Sequence, residues 1–147
     1  MDSASHILIN FILGITYLKL TSQGLVLKPL LIIVLVGLFI DLDHLIPPIL
    51  DGRIKNIRRM IHYWAFTPNK FTSEIYLFHT YEFFIFVLML GFLNRVFLFV
   101  FLGLIFHFFG DFIANTISTK GLWWLKYYSI SYWVLSKYRR AENKNSK

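Results

Sequence analysis

The sequence contains no cysteine and has little charge. With no Cys among 147 residues, disulfide bonds, thiolate metal ligands and a cysteine nucleophile are all excluded. Charged residues make up 16% of the chain, against about 25% in a typical soluble domain, and hydrophobic residues make up 56%. Because so few polar side chains cannot cover a water-soluble globule, the composition disfavours both intrinsic disorder and an ordinary cytosolic enzyme. It indicates a protein of the lipid bilayer.

Acidic residues are scarcer than basic ones. The chain has 8 Asp and Glu against 15 Lys and Arg, a formal net charge of +7. In a soluble protein this surplus would suggest a nucleic-acid partner, but in a membrane protein it marks the cytoplasmic side and the anionic lipid head groups. We therefore expect membrane lipid as a partner and no nucleic acid. The sequence leaves the oligomeric state open.

Four apolar stretches have the composition of membrane-spanning helices. They cover, in order, about residues 6–20, 25–44, 75–93 and 96–118. A span needs about 20 residues, so the first stretch is marginal in length, and whether it spans completely stays open. Short polar turns join the first stretch to the second and the third to the fourth, which makes each pair an antiparallel hairpin. The sequence thus predicts an all-α integral membrane four-helix bundle of two hairpins within residues 1–120.

The connecting segments carry most of the positive charge. A loop at 45–74 joins the hairpins, and residues 121–140 have the aromatic and basic composition of an interfacial amphipathic helix, followed by a tail at 141–147 that we predict to be disordered. Twelve of the 15 Lys and Arg lie in the loop or from residue 120 onward. By the positive-inside rule, the loop and both termini are cytoplasmic, in a multi-pass protein of a prokaryotic-type inner membrane.

Ionisable residues in these apolar helices occur in pairs at helical spacing. The pairs are Asp41 with His44, His79 with Glu82, and His107 with Asp111. Because residues three or four apart share a helix face, each pair points to one side of its helix. Asp43 adjoins the first pair, and His6 lies near the start of the first helix. The two-hairpin topology brings all these groups to the cytoplasmic side at similar depth.

Imidazoles and carboxylates without thiolates are ligands that suit Zn, Mn or Fe. Eight candidate groups exceed the three or four protein ligands of one zinc ion, so the set allows one or two ions. Each pair also has a purely structural interpretation: an interhelical hydrogen bond, a polar helix end, or, for Glu82, a salt bridge with Arg58 or Arg59. The convergence of the pairs on one face favours the metal site, because a buried ionisable group is costly without a partner.

These motifs resemble those of the YdjM-like inner-membrane metal-dependent hydrolases. The shared order is an early His in the first helix, an Asp-x-Asp-His element, a His-containing element at the next helix start, and His-x-x-x-Asp, covering about residues 6 to 118. Here they are His6, Asp41-Leu42-Asp43-His44, His79-Thr80-Tyr81-Glu82 and His107-Phe108-Phe109-Gly110-Asp111. The best-known members of that family carry a second His in the third element. Here, either Glu82 replaces that imidazole or the set of metal ligands is smaller. The motif order is also similar to that of zinc-dependent phospholipase C, which implies phosphate ester chemistry.

We therefore expect a membrane-embedded, metal-dependent hydrolase that acts on phosphoesters of lipid or lipid-linked substrates at the cytoplasmic leaflet. A divalent ion, with Zn preferred and Mn or Fe as alternatives, would be held by ligands drawn from His6, Asp41, His44, His79, His107 and Asp111. Asp43 and Glu82 are the candidates for the general base or for a residue that orients a ligand.

Two alternatives accompany this prediction. A basic run could draw a phosphate head group toward the metal, or it could only set topology at the membrane surface; its residues are Arg53, Lys55, Arg58 and Arg59. The chain as a whole could instead be a small non-catalytic membrane protein, whose His and acid cluster is structural or handles protons or metal ions. A mouth open to substrate would favour the enzyme, and a closed network would favour packing.

Overall fold

Every regular element that the structure describes is helical, as predicted. The computed structural model describes residues 3–21, 26–50, 52, 55–58, 60–61 and 76–145. The α-helices there are α1 (Ser3–Leu20), α2 (Leu27–Phe39), α3 (Ile46–Leu50), α4 (Tyr81–Leu93), α5 (Arg95–Thr119) and α6 (Ile130–Asn145). Three 3₁₀ helices accompany them, at Ile40–Leu45, Leu77–His79 and Trp123–Tyr128.

Helix α5 lies at the centre of the bundle and packs against α1, α2 and α4. Its approach to α2 depends on Gly103, where a Cβ atom would lie 2.8 Å from the Val36 Cβ and 2.9 Å from the Ile33 carbonyl oxygen. A polar side chain of α1 completes the contact: Asn10 Nδ2 donates to the Ile33 oxygen at 2.9 Å and to the Gly103 oxygen at 3.0 Å. One glycine and one amide thus hold three helices at close range, because a small residue at a helix interface lets the backbones approach.

The hairpin of α4 and α5 is defined by its caps. Thr80 precedes α4 with extended backbone, and its Oγ1 accepts a hydrogen bond from Phe83 N. Asn94, also extended, ends α4 and begins α5, and its Oδ1 accepts from Val96 N at 2.9 Å. Such side-chain acceptors satisfy amides that a helix start leaves without partners. An apolar core joins this hairpin to the start of the 3₁₀ helix that follows α2, through Ile40, Phe84, Val87 and Leu104.

Helices α2 and α4 are shorter than the second and third predicted spans. By length and composition, α5 is the one helix in the described part of the chain that could cross a membrane, and Ser5–Leu20 and Tyr81–Leu93 are shorter apolar helices. The second predicted span ends as an α-helix at Phe39, where the chain tightens into the 3₁₀ helix that carries two aspartates. The third begins at Tyr81, because Thr80 is extended and caps it there. The all-helical prediction is confirmed, and the four-span membrane topology stays a prediction.

The C-terminal segment differs in detail from its prediction as one helix over 121–140 with a disordered tail. It consists of the 3₁₀ helix Trp123–Tyr128 and of α6, separated by the extended residue Ser129. Helix α6 continues to Asn145, so residues 141–145 of the predicted tail are helical. Ala, Glu and Lys, which follow Arg140, are good helix formers and allow this extension. Residues 146–147 and most of the 45–74 loop lie outside the described residues.

Candidate metal centre

Four elements bring seven ionisable side chains into one buried group, which we call the His/Asp cluster. Its members are His6 of α1, Asp41, Asp43 and His44 of the 3₁₀ helix Ile40–Leu45, His79 of the 3₁₀ helix Leu77–His79, and His107 and Asp111 of α5. Six of the seven are buried, and the His44 side chain is 12% exposed. The structure thus brings together all six predicted metal ligands and Asp43.

Local backbone geometry explains how each element contributes. In a 3₁₀ helix, side chains three apart eclipse each other, so Asp41 and His44 fall on the same side, with His44 Nε2 3.5 Å from Asp41 Oδ1. In the α-helical α5, His107 and Asp111 are four apart and again share a face, with Nε2 and Oδ2 3.7 Å apart. The spacings noted in the sequence therefore become two faces turned toward one centre.

Three ligand atoms at the centre form a nearly equilateral triangle. Asp41 Oδ1 lies 3.4 Å from His79 Nε2 and 3.3 Å from His107 Nε2, and the two nitrogens are 3.3 Å apart. A tetrahedral zinc ion with bonds of about 2.0–2.1 Å holds its ligand atoms about 3.3 Å from one another. The triangle therefore has the size of one face of a tetrahedral zinc site. His44 Nε2, or Asp111 Oδ2 at 3.7 and 3.9 Å from the two nitrogens, is placed to be the fourth ligand.

A second group of ligand atoms adjoins the first. His6 Nε2 lies 3.2 Å from Asp111 Oδ1, and the His6 ring stacks on the His107 ring with centroids 3.7 Å apart. Two sets, His6 with His107 and Asp111, and Asp41 with His44 and His79, each offer three atoms that all lie within 4.8 Å of one another. The buried groups could therefore hold one metal ion at the triangle, or two with one in each set.

Hydrogen bonds outside the triangle determine which imidazole nitrogen faces inward. His107 Nδ1 is 3.0 Å from the Gly37 carbonyl oxygen, and since a carbonyl only accepts, Nδ1 carries the proton. His79 Nδ1 is 3.3 Å from Asp43 Oδ2, which also accepts from Phe78 N at 2.9 Å. If both imidazoles are neutral, both Nε2 atoms present lone pairs toward Asp41, whereas a doubly protonated His79 would donate from Nε2 as well. A carbonyl or carboxylate behind each imidazole is the usual arrangement of histidines that bind metal.

The charge and the lone pairs of the cluster require something positive at its centre. With neutral imidazoles, the three aspartates amount to three buried negative charges, which are costly unless compensated. Two acceptor nitrogens 3.3 Å apart also repel each other unless a proton or a cation lies between them. His6 Nε2, Asp41 Oδ1 and His44 Nε2 are buried, and their nearest polar neighbours are other members of the cluster, at 3.2–3.5 Å. A divalent ion would supply the compensating charge.

Two further polar residues support Asp111. Tyr128 donates its hydroxyl to Asp111 Oδ2 at 3.1 Å, and Asn115 Nδ2 donates to the Tyr128 oxygen at 3.4 Å. Burial, together with the nearby Asp111 carboxylate, raises the pKa of Tyr128 well above its usual value of 10, so the hydroxyl keeps its proton. Sequence reasoning missed both residues. Asn115 could have been found from its position four residues after Asp111, but Tyr128 lies beyond a helix end and gave no such signal.

Glu82 does not join the cluster. Its carboxylate accepts from Ser129 Oγ at 3.0 Å, Ile130 N at 3.1 Å and Ser131 N at 3.3 Å, at the start of α6. The predicted helical relation between His79 and Glu82 is lost because the extended Thr80 separates them into two elements. An acidic side chain at a helix N-terminus interacts favourably with the helix dipole. Glu82 therefore has a structural position, in which it links α4 to the start of α6.

Of the four basic residues predicted to attract a head group, two are described. Lys55 and Arg58 are exposed on the segment after α3, and Arg53 and Arg59 lie outside the described residues. Nothing in the described contacts ties Lys55 or Arg58 to the cluster.

Fold and site together define an all-helical protein with a buried His/Asp cluster that could bind a metal ion. No family model, curated protein or solved structure matches the chain. Its function is therefore argued from these residues and from the motif resemblance alone.

Proposed function

We propose that this chain is a membrane-embedded, metal-dependent hydrolase of phosphoesters in lipid or lipid-linked substrates, acting at the cytoplasmic leaflet of a prokaryotic-type inner membrane. One observation carries the proposal: Asp41 Oδ1 and the Nε2 atoms of His79 and His107 form a buried triangle with sides of 3.3–3.4 Å, the size of one face of a tetrahedral zinc site. The resemblance to the YdjM-like hydrolases, which rests on the same residues, supports the choice of reaction.

The distribution of polar and apolar side chains supports the membrane location. His6, Asn10, His107 and Asp111 are fully buried, whereas Phe92 and Leu93 are each 82% exposed. This arrangement is the reverse of a water-soluble bundle, in which large apolar side chains are withdrawn from solvent. Hydrocarbon accepts the apolar exterior, and a lipid-facing helix must turn its ionisable residues inward.

The residues of the cluster suit zinc first, with Mn or Fe as alternatives, because they offer nitrogen and carboxylate oxygen at tetrahedral spacing. When bound, the ion supplies Lewis acidity, which polarises a phosphoryl oxygen and makes a water more acidic. The protein's own part is orientation. Asp43 Oδ2 accepts a hydrogen bond from His79 Nδ1, and the Gly37 carbonyl oxygen accepts one from His107 Nδ1. The Tyr128 hydroxyl donates to Asp111 Oδ2. Asp43 thus fits the orienting role predicted for it.

His44 lies at the edge of the cluster nearest the surface. Its side chain is the most exposed of the cluster, at 12%, and its ring contacts that of Tyr76 with centroids 3.8 Å apart. The exposed Lys55 and Arg58 follow this edge in the chain, and they are the described residues that could attract an anionic head group.

A second candidate function is favoured by how completely the cluster is closed. His6, His107 and Asp111 have no exposed surface, and His6, His44, His79 and His107 each have a ring nitrogen within 3.5 Å of an aspartate oxygen. A non-catalytic membrane protein, whose cluster packs the bundle or handles protons or metal ions, would have this closure without needing a mouth. Metal binding with no hydrolysis is the result that would favour it.

Metal analysis of the purified protein is the experiment that tests the site. The wild-type chain, extracted in mild detergent from metal-replete cells, is expected to contain one or two equivalents of Zn, Mn or Fe. A His107→Ala, Asp111→Ala double variant is expected to lose it. Asn94→Ser is the matched control on the same helix, because it keeps a capping oxygen and lies thirteen residues from His107. A folded wild-type protein that is free of metal would refute the proposal.

Two further measurements test the hydrolase activity and the membrane-spanning topology separately. Release of inorganic phosphate from dodecyl phosphate, dependent on the bound metal and lost in Asp41→Asn, would support hydrolysis. Because the chain has no Cys, single cysteines at Asn94 and Ser118 can be labelled from either side of sealed vesicles. Labelling of both positions from one side only would contradict a membrane-spanning α5.

A further inference from the structure

We propose that an apolar cleft beside the His/Asp cluster holds one hydrocarbon chain of a phosphate-bearing amphiphile. The cleft, with a volume of about 160 Å³, opens between α2 and α4 and has α5 as its floor. Its lining is apolar and includes Val36, Ile40, Phe78, Phe83, Val100 and Leu104. This inference rests on the proposed function, because it concerns the substrate of the same site.

The cleft and the cluster share three elements. Ile40 immediately precedes Asp41, and Phe78 immediately precedes His79. On α5, Leu104 lies one helical turn before His107 and on the same face. The same three elements thus line the cleft with apolar side chains. One residue or one helical turn further along the chain, each of them carries a ligand atom of the cluster.

One hydrogen bond joins the two regions directly. Phe78 lines the cleft, and its backbone amide donates to Asp43 Oδ2, the oxygen that also orients His79. The Phe78 backbone thus links the wall of the cleft to the carboxylate that orients His79. Only an amphiphile, with a hydrocarbon chain and a polar head, matches both regions at once. A cation in the cluster favours an anionic head such as a phosphate.

The dimensions fit part of one chain. A methylene group occupies about the volume of a water molecule, about 30 Å³, so the cleft takes roughly five methylenes. Val100 and Leu104 are one turn apart, which is about 6 Å along α5. The cleft therefore holds the part of the chain nearest to the head group, and the rest extends into the surrounding hydrocarbon.

Site-specific photocrosslinking tests the cleft on the full-length protein. p-Benzoylphenylalanine replaces Phe83, which lines the cleft, or Phe86, which is 56% exposed on the same helix. The protein is kept in dodecyl maltoside micelles that contain about 1 mol% dodecyl phosphate, so that the two amphiphiles differ only in the head group. We expect adducts of dodecyl phosphate, relative to dodecyl maltoside, to be enriched about tenfold at position 83 over position 86.

Two matched variants locate the adduct. Val100→Phe fills the cleft and is expected to abolish the enrichment at position 83, whereas Val96→Phe, one turn earlier on α5 and outside the cleft, is expected to preserve it. Equal adduct ratios at positions 83 and 86, or enrichment that survives Val100→Phe, would overturn the proposal.

The metal content of the same samples is measured in parallel. A protein that binds metal and releases phosphate without enrichment overturns the chain site and leaves the proposed function standing. Enrichment in a protein that neither binds metal nor releases phosphate supports the cleft and overturns the hydrolase.

Discussion

Replacing Asp43 by Asn should weaken metal binding without abolishing it. Asp43 Oδ2 accepts from both Phe78 N, at 2.9 Å, and His79 Nδ1, at 3.3 Å. Because both donors share that one oxygen, the carbonyl oxygen of Asn is expected to take its place and to keep the tautomer of His79. What is lost is the charge that makes His79 a stronger ligand.

Residues that orient a metal ligand typically contribute 10–100-fold to affinity, or about 1.4–2.7 kcal/mol. The His79 contact is long, at 3.3 Å, so we expect the lower end of that range, about tenfold. Competition between the purified protein and a chromophoric chelator measures it. Asp41→Asn, which removes an atom of the triangle, should weaken binding by more than 100-fold under the same conditions.

Either of two results would refute this reasoning. If Asp43→Asn loses metal as completely as Asp41→Asn, Asp43 is itself a ligand and the triangle is misassigned. If the affinity changes by less than about twofold, the hydrogen bond to His79 has no orienting role.

Three other predictions concern the bundle and the site. Gly103→Ala should lower the free energy of unfolding by about 1–3 kcal/mol, because the new Cβ meets the Val36 Cβ at 2.8 Å. Gly14→Ala, whose Cβ meets only side-chain atoms at 3.0 Å and beyond, should lower it by less, as measured by denaturant unfolding. Glu82→Gln should leave the metal content unchanged. It should speed hydrogen exchange at the first amides of α6, because it removes a charged acceptor there. Loss of metal in this variant would mean that Glu82 belongs to the metal site. Removing the ion with a chelator should lower the unfolding temperature of the wild-type protein and leave that of the His107→Ala, Asp111→Ala variant unchanged. A ligand that binds only the folded state stabilises it, by about 2.7 kcal/mol at 100 times its Kd. An equal response of both proteins would contradict a metal in the cluster.

The closure of the cluster bears on both candidate functions. A buried carboxylate and imidazole network can be satisfied by protons alone, and it then packs helices without any ion. The observation that favours an ion is the size of the triangle, whose sides of 3.3–3.4 Å match one face of a tetrahedral zinc site.

The chain order alone identified most of the cluster. His107 and Asp111 are four apart on a long apolar helix, and any helix there must place them on one face, so their pairing needed no tertiary information. Asp41 and His44 keep their relation for the same reason, although in a 3₁₀ helix in place of the predicted α-helix. Composition likewise determined the helical class, because long apolar stretches with two-residue or four-residue turns leave few other structures.

Tertiary structure decided what each of these residues does. His79 and Glu82 looked like one more pair, but the extended Thr80 divides them, and Glu82 is drawn to the amides of α6, forty-eight residues away in the chain. Tyr128 reaches Asp111 only because the chain turns back after α5. Spacing along a helix is a local property that sequence determines by itself, whereas contacts between distant segments depend on how the helices pack. The triangle of Asp41, His79 and His107 is such a contact, and its distances exist only in the folded protein.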